Sequence, residues 1–326
     1  MQVASPSQTA LPCEQAATTY DVQNSWFDHT GLLYLMPIKN DCYHLGCPVW
    51  ACPDWRGSVY AANARRDSWL RAYSETFNSV EGNSTFYGIP RPETFQRWAN
   101  ETADGFQFSL KFPREITHDR QLVNARVPTE QFLEGLQVLQ QAKRLGSTFL
   151  QLSPHFGPQQ FGALKKYLLG LPREFRYAVE VRHPGYFLSG PESQLDNLLT
   201  ELSIDRVIFD SRPLYSKPPE DEYEVQSQKR KPKVPIRTQL TGPRPVVRLV
   251  GRNDLATVAP WIEEWVEQTA QWIEAGISPY IFTHTPNDRW APEMARMFND
   301  SLAKRLAQVS PGVFNHYREQ QKNLFD

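Results

Sequence analysis

The chain lacks any long hydrophobic run. Its 326 residues are 40% hydrophobic and its mean hydropathy is -0.54. No stretch approaches the roughly 20 consecutive apolar residues that a membrane-spanning helix needs. The N-terminus also lacks a basic segment followed by an apolar core, which is the pattern of a secretory signal. The sequence therefore predicts a cytoplasmic protein with no membrane partner.

An excess of charge of either sign is missing as well. The 35 Lys and Arg residues nearly balance the 36 Asp and Glu residues, which gives a net charge of -1 and a pI near 6.7. Domains that bind nucleic acids broadly carry a basic excess or a basic stripe. The balance therefore disfavours a general nucleic-acid binder and leaves open a local basic patch.

Cysteine is scarce, and the four cysteines all lie in the first sixth of the chain, at Cys13, Cys42, Cys47 and Cys52. The last three are evenly spaced, but the gaps are wider than the paired spacing of common zinc sites and no nearby His completes a tetrahedral set. We therefore expect reduced, partly buried thiols and no metal site. The sequence identifies no cofactor.

What the sequence does contain is a regular alternation of strand-length apolar runs and helical patterns. The eight predicted strands are residues 43–50, 76–87, 106–112, 147–153, 176–183, 205–211, 246–251 and 279–285. The predicted helices are residues 66–74, 91–100, 129–145, 159–169, 192–202, 257–275 and 291–307. This alternation predicts an α/β fold, and a (β/α)8 TIM-type barrel more than an open sheet.

Some segments lie outside this alternation. Residues 1–40 are rich in Ser, Thr, Gln and Ala and predict a mobile N-terminal arm, residues 41–310 predict one barrel domain, and residues 311–326 predict a C-terminal tail. Residues 213–244 interrupt the sixth unit with an acidic cluster followed by a basic one. Prolines and mixed charges predict a solvated surface insertion rather than a packed helix, with a lid or docking arm as the alternative. The oligomeric state is left open.

Polar side chains stand near the carboxyl end of most predicted strands. Glu81 and Asn83 share one face of the predicted extended run over residues 77–87, because strand side chains alternate with period two. The corresponding groups on later strands are Lys111, Gln151, Glu180, Arg182, Asp210, Arg248 and His284. In a barrel these groups point into the C-terminal mouth, where barrel enzymes assemble their sites. Buried charges need partners, so the alternative is a purely structural ion-pair network.

The same residues carry a family likeness. The segments DWRGSVY, VEGNSTFYGIP, FSLKFPREITHDRQL, FLQLSPHF, YAVEVRHPGYF and VVRLVGR occur in this order and resemble the domain of unknown function 72 family, also called YecE-like. The likeness spans residues 43–306 and implies a TIM-type barrel whose activity is not established. The site residues that the resemblance supports are Trp55, Arg56, Glu81, Asn83, Tyr87, Lys111, His118, Gln151, Glu180, Arg182, His183 and Arg248.

The chain departs from the family pattern at three places, which are residues 46–48, Val250 and residues 282–286. Members usually carry a His at the position of Val250. His284, in the third of these places, is a candidate to supply the group that position 250 lacks.

The favoured function is an enzyme, of hydrolase or lyase type, that acts on a small polar or anionic substrate such as a sugar or a phosphate-bearing compound. Arg56, Arg182 and Arg248 would hold an anion, because guanidinium groups match carboxylate and phosphate geometry. Glu81 or Glu180 would act as general base, and Lys111 or His118 as proton donor or electrostatic stabiliser. The remaining predicted binding residues are Trp55, Asn83, Tyr87, Gln151, His183, Asp210 and His284.

Two other functions stay open. The first is a barrel that binds or cleaves nucleic acid, with Trp55, Phe86, Tyr87 and Tyr186 as exposed rings that stack on bases. The second is a non-catalytic ligand sensor or scaffold. Strongly perturbed ionisations in the mouth would favour an enzyme, whereas a mouth filled by internally paired charges would favour the scaffold.

Overall fold

The computed structural model describes residues 42–307 and 309, and within them short strands alternate with helices. The predicted N-terminal arm, residues 1–40, and the predicted C-terminal tail, residues 311–326, lie outside the described residues. The strands are β1 (His44–Gly46), β2 (Ser79–Gly82), β3 (Gln107–Leu110), β4 (Thr148–Gln151), β5 (Tyr177–Glu180), β6 (Asp205–Arg206), β7 (Ile208–Asp210), β8 (Val246–Val250) and β9 (Tyr280–His284). The sixth predicted strand is thus divided into β6 and β7.

The helices follow the strands closely. They are α1 (Trp69–Thr76), α2 (Ser84–Tyr87), α3 (Pro92–Glu101), α4 (Arg126–Gln141), α5 (Phe161–Leu169), α6 (Ser189–Leu202), α7 (Glu222–Arg230), α8 (Ala259–Glu274) and α9 (Ala291–Arg305). Each of the seven predicted helices has a counterpart in this set. The two helices that the sequence did not predict are α2 and α7.

All the strand pairs are parallel, and they form three hydrogen-bonded sections. These have the orders β1-β9-β8-β7, β2-β3 and β4-β5-β6. Backbone hydrogen bonds also join neighbouring sections: the N–H of Glu81 donates to the carbonyl of Cys47 at 3.0 Å, and the N–H of Phe112 donates to the carbonyl of Phe149 at 2.9 Å. The predicted α/β class with parallel strands is confirmed.

The apolar residues divide between the two faces of the strands. Helix α8 buries Ile262, Trp265, Val266, Thr269, Ala270 and Ile273, which recur every three or four residues and so form one stripe. This stripe belongs to a large core that also contains Val247 and Leu249 of β8. A separate small cluster includes Val246 from the opposite face of β8, together with Phe149, Ala178, Val207, Tyr280 and Phe282. This inner cluster forms the floor beneath the polar strand ends.

The extended run predicted over residues 77–87 is wrong beyond Gly82. Asn83 has helical backbone angles, with φ -81° and ψ -13°, and Ser84–Tyr87 form one helical turn. The Oγ1 of Thr85 donates to the carbonyls of Gly82 and Lys111, at 3.1 Å and 2.7 Å. Such short polar side chains bond to nearby backbone and compete with strand pairing, which ends β2 early.

The prediction of a solvated loop over residues 213–244 is wrong for its middle part, because α7 forms there. The Asp221 carboxylate accepts the N–H of Glu224 at 2.8 Å and caps the helix. The side chain of Glu224 is 1% exposed and forms a salt bridge with Arg252, which is 0% exposed. Nη2 of Arg252 lies 2.6 Å from Oε2 of Glu224. The composition of the segment predicts a solvated loop. It does not reveal that Glu224 has a buried partner, Arg252, from a distant part of the chain.

Candidate functional site

A cluster of paired charges lies at the carboxyl ends of strands from all three sheet sections. Arg248 on β8 binds the Glu81 carboxylate of β2 through Nε and Nη2, both at 2.7 Å. Its Nη1 donates to Glu180 Oε2 of β5 at 2.6 Å. All three side chains are at most 3% exposed. One arginine therefore connects the three sections and forms ion pairs with two buried carboxylates.

Further polar groups complete the hydrogen bonding of the two carboxylates. Asn83 Nδ2 donates to Glu81 Oε1 at 2.7 Å, so the two residues meet although Asn83 is not on the strand. Glu180 Oε1 accepts from Arg182 Nε at 2.7 Å and from Gln151 Nε2 at 2.9 Å. Every carboxylate oxygen in the cluster thus has a donor, which is what a buried charge requires.

Opposing effects act on the ionisation of the two acids. Burial alone would raise the pKa of Glu81, but Arg248 and His284 hold it well below its usual range. Burial likewise opposes ionisation of Glu180, and Arg248 and Arg182 nevertheless lower its pKa to about 2. Both groups are therefore carboxylates at neutral pH.

His284 is neutral at pH 7. Burial lowers its pKa to about 4, even though the Glu81 carboxylate acts in the opposite direction. His284 Nε2 lies 2.8 Å from Glu81 Oε2. Because an ionised carboxylate only accepts, Nε2 carries the proton and Nδ1 carries the lone pair. His284 also lies beside Val250 in the parallel register, which fits the hypothesis that it supplies the group missing at position 250.

Lys111 is the cation of the cluster whose charge is least compensated. It follows β3, is 7% exposed, and donates from Nζ to Gln151 Oε1 at 2.7 Å. Its Nζ also lies 3.7 Å from the ring centroid of Phe86. Among the described residues it has no ion-pair partner. Burial, together with the charges of Arg248 and Arg182, lowers the pKa of Lys111 to about 7.

A cleft of about 360 Å³ opens above these strand ends. Among its lining residues are seven of the predicted site residues, namely Asn83, Tyr87, Lys111, Gln151, Arg182, Arg248 and His284. Ser227, Arg230 and Lys231, from α7 and the residue that follows it, line the cleft as well. Half of the predicted site residues therefore line one cleft. The insertion forms a wall of this cleft that the sequence did not predict.

Four predicted site residues lie elsewhere. Trp55 is 0% exposed and stacks on Tyr73 at 6.0 Å between ring centroids, so it belongs to the core. Arg56 is exposed, with its guanidinium 5.1 Å from the ring centroid of Trp69. His183 Nδ1 accepts the N–H of Gly185 at 3.0 Å and caps a short helical turn. These positions give each side chain a local structural role.

The fourth is Asp210, and the prediction that it faces the mouth is wrong. Its Oδ2 accepts from Trp265 Nε1 of α8 at 2.8 Å, on the helix-covered side of the sheet. In the register of β7 and β8, the residue opposite Arg248 is Phe209, whose ring centroid lies 5.4 Å from that guanidinium. An apolar ring, not the acid, therefore shares the face of the sheet that carries Arg248.

His118 lies beside the cleft without lining it. Its ring packs edge-on against Phe86 at 5.0 Å between centroids, and Nδ1 lies 2.9 Å from Thr117 Oγ1. Burial lowers its pKa to about 4, and the charges of Lys111 and Arg182 act in the same direction. His118 is therefore neutral at pH 7, and without the imidazolium form it is a poor general acid there.

Arg230 and Lys231 were missed as site residues. They belong to the basic cluster of the insertion, whose composition predicts solvated surface. The available signal was their position in an insertion that begins just after the carboxyl end of β7, which is the end where the predicted site lies. Burial and the charges of Arg248 and Arg182 lower the pKa of Lys231 to about 8.

The aromatic rings and the cysteine thiols of the predicted sites differ widely in exposure. Of the rings predicted to stack on bases, Trp55 and Tyr186 are 0% exposed, whereas Tyr87 is 82% exposed. Cys47 is buried, and burial raises the pKa of its thiol. In residues 42–307 and 309, no group of three or more His, Cys, Asp or Glu side chains could hold a metal ion. Nor is any helix of these residues long and apolar enough to cross a membrane.

Taken together, the fold and the site define an α/β protein with a paired-charge cluster and a cationic cleft at the carboxyl ends of parallel strands. A sequence model of the family described as "Protein of unknown function DUF72" matches residues 44–319. The chain belongs to the DUF72 family, as its sequence segments predicted. It is 36% identical over 285 residues to the UPF0759 protein YecE of Escherichia coli strain K12, covering 86% of this chain and 99% of that protein.

Solved structures share the fold. DUF72 family proteins from Enterococcus faecalis V583 and Thermotoga maritima MSB8 match with TM-scores of 0.60 and 0.58, each at 19% identity. Both matches cover 81% of this chain, and they cover 97% and 99% of the respective solved chains. None of these names specifies a substrate or a reaction.

Proposed function

We propose that this protein is an enzyme that binds a small anionic substrate in the cleft and uses Lys111 for proton transfer. The observation that carries the proposal is the setting of Lys111 Nζ, 2.7 Å from Gln151 Oε1 in a cleft and without a carboxylate partner among the described residues. A lysine whose pKa is about 7 exchanges protons readily near neutral pH. The adjacent Arg182 and Arg248 attract an anion to the same place.

The neighbouring groups have complementary roles. His284, with a lone pair on Nδ1, is the candidate base, and Glu81 fixes its tautomer and orientation. Glu81 and Glu180, which the sequence predicted as general bases, act instead as positioning groups, because their pKa values are low and all their oxygens are occupied by donors. The low pKa of His118 removes it from the candidate proton donors.

We also propose that the three sheet sections close into a (β/α)8 barrel. Backbone hydrogen bonds link β1 to β2 and the residues after β3 to β4, while residues 205–210 pair with β5 on one side and β8 on the other. The bonds of Arg248 to carboxylates of the other two sections support a shared interior. In such a barrel the cleft is the C-terminal mouth, where catalytic groups gather.

A non-catalytic binding protein is the second candidate. It is favoured by the internal pairing of Glu81, Arg248 and Glu180, which satisfies the charges of the cluster without a ligand. The cytoplasmic location predicted from the sequence stays a prediction under either function.

One experiment separates the two candidates. The protein is incubated with pooled phosphate- and carboxylate-bearing metabolites, and binding is followed by thermal shift while conversion is followed by mass spectrometry. An enzyme converts at least one compound that it binds, and Lys111→Met should slow conversion by about 100-fold or more. Lys165→Met, on an exposed face of α5, is the matched control and should keep full turnover.

Full turnover in Lys111→Met would contradict the assigned role of this lysine. Binding without conversion of any bound compound would favour the binding protein.

A further inference from the structure

The insertion forms one wall of the cleft. Ser227 and Arg230 lie on α7 and Lys231 follows it directly, and these side chains line the same cleft as Lys111 and Arg182. Basic side chains therefore line the cleft on two sides, at the strand ends and on the insertion. Lysine and arginine side chains directed toward the strand ends are not expected of a segment that only covers the surface.

This wall is anchored rather than loose. The buried pair of Arg252 and Glu224, at 2.6 Å, fixes the first half of α7. At its other end, the Tyr215 hydroxyl donates to the carbonyls of Gln228 and Lys231, at 2.7 Å and 2.6 Å. Because backbone on both sides of the cleft-lining residues is tied down, the side chain of Lys231 extends from a fixed base.

The charges of the cleft do not balance. The described residues that line it include five basic side chains, namely Lys111, Arg182, Arg230, Lys231 and Arg248, and one acidic side chain, Asp288. Glu81 and Glu180 beneath the cleft bring the acids to three, which leaves an excess of two positive charges when Lys111 and Lys231 are both protonated. Like Lys111, Lys231 has no ion-pair partner in the described part of the chain.

An excess of like charge in a partly desolvated cleft is unfavourable, and an anion of matching charge relieves it. A monoanion would neutralise half of the excess, whereas a dianion neutralises all of it. A phosphate monoester is a compact dianion near neutral pH, and its three terminal oxygens can receive donors from several directions at once.

We propose that the ligand carries a dianionic group of the phosphate-monoester type, held between Lys111 and Arg182 on the strand side and Lys231 on the insertion. The insertion is then a specificity-determining part of the site. The inference rests on the proposed function and names the substrate class for it. A phosphodiester of nucleic acid, with one charge per phosphate, does not meet this requirement.

The test measures binding by isothermal titration calorimetry with phenyl phosphate, inorganic phosphate, dimethyl phosphate, acetate and a single-stranded oligonucleotide as probes. We expect phenyl phosphate and inorganic phosphate to bind at least tenfold more tightly than dimethyl phosphate or acetate. Lys231→Ala should weaken phenyl phosphate binding by about 10-fold or more, since it removes a charged donor. Lys231→Arg should restore most of the affinity.

The matched control is Lys229→Ala, which removes an exposed lysine from the same helix without touching the cleft. It should bind phenyl phosphate as the unchanged protein does. Thermal unfolding of each variant without ligand verifies that α7 is intact, and Lys231→Arg provides the comparison if Lys231→Ala unfolds early.

Equal binding of dianions and monoanions would overturn the inference, as would tighter binding of the oligonucleotide or no binding of either dianion. Unchanged affinity in Lys231→Ala would also overturn it. These results differ from failure of the proposed function, which is marked by full turnover in Lys111→Met or by binding without conversion.

Discussion

Replacement of Arg248 by methionine tests the paired-charge cluster most severely. The substitution retains a long apolar side chain but leaves the buried carboxylates of Glu81 and Glu180 without their shared cation. The pKa of Glu180, lowered to about 2 from the ordinary value near 4.3, corresponds to about 3 kcal/mol of stability at neutral pH. Removing one partner of a buried pair typically costs about 3–5 kcal/mol. We therefore expect Arg248→Met to lose about 3–5 kcal/mol of unfolding free energy at pH 7.

The loss should depend on pH. In the unchanged protein the folded-state pKa of Glu180 is lowered, so its stabilising contribution is present above the unfolded pKa and is lost as the pH falls toward about 2. In Arg248→Met, burial raises the pKa values of Glu81 and Glu180 and no arginine at position 248 opposes it. These carboxyl groups therefore become protonated at higher pH, and the variant regains stability as the pH falls. The difference between the two proteins should therefore shrink between pH 7 and pH 4.

Urea unfolding at pH 7, 5.5 and 4 measures this difference. Arg65→Met is the control, because Arg65 pairs with Asp67 at 3.0 Å on the surface and should contribute at most about 1 kcal/mol. The triple variant Arg248→Met, Glu81→Gln, Glu180→Gln should recover part of the loss, since no buried carboxylate is left without its cation. A loss below about 1 kcal/mol at pH 7, or a loss that does not change with pH, would refute the assignment of a buried, ionised cluster.

Three further predictions concern packing, the misassigned acid and the ligand. Gly46→Ala should lower the thermal midpoint, because the added Cβ would lie 2.1 Å from a backbone carbonyl oxygen of β2; Gly162→Ala, in open space on α5, should not. Asp210→Asn should destabilise the protein by about 1–3 kcal/mol through its bond to Trp265, yet change phenyl phosphate binding less than twofold. A tenfold change in the affinity for phenyl phosphate would show that Asp210 belongs to the site. Dianion binding should take up protons at pH 7.5 and weaken as the pH rises further, because it raises the pKa of the cleft lysines; calorimetry in buffers of different ionisation enthalpy would show no difference if these lysines stay charged throughout.

The alternation of strands and helices was predictable because it follows from local patterns. Strands covered on both faces carry apolar runs, and helices such as α8 show a stripe every three or four residues. Of the predicted helices, that over residues 129–145 shows the boundaries furthest from the structure, since α4 covers Arg126–Gln141. Boundaries depend on caps and turns, which sequence patterns determine poorly.

The polar strand ends were also predictable, because a charged residue beside a buried strand needs a partner. Glu81, Lys111, Glu180 and Arg248 were grouped on that ground, and they lie in one hydrogen-bonded cluster. Asp210 is also a charged residue at the end of a buried strand, but its partner is Trp265 on α8. Sequence alone does not distinguish an acid that faces the interior from one that meets an indole N–H on the other side of the sheet.

The wall formed by α7 depends on contacts between distant positions. Glu224 and Arg252 are 28 residues apart, and nothing in the composition of the insertion indicates that they pair. Without that contact the segment has the charge and proline content of a solvated loop. Arg230 and Lys231 were therefore assigned to the surface, although the anchored helix directs them to the cleft.

The ionisation of Lys111 tests the proposed proton-transfer site most directly. The protein is labelled with ¹³C-lysine, the Cε resonance of Lys111 is assigned by its loss in Lys111→Arg, and its chemical shift is followed from pH 5 to pH 11. Lys111 is buried near Arg182 and Arg248 and has no carboxylate partner within residues 42–307 and 309, so it should titrate with a midpoint of about 7. A midpoint near the ordinary lysine value of about 10.4 would show a fully charged ammonium group at neutral pH and would contradict the assigned role.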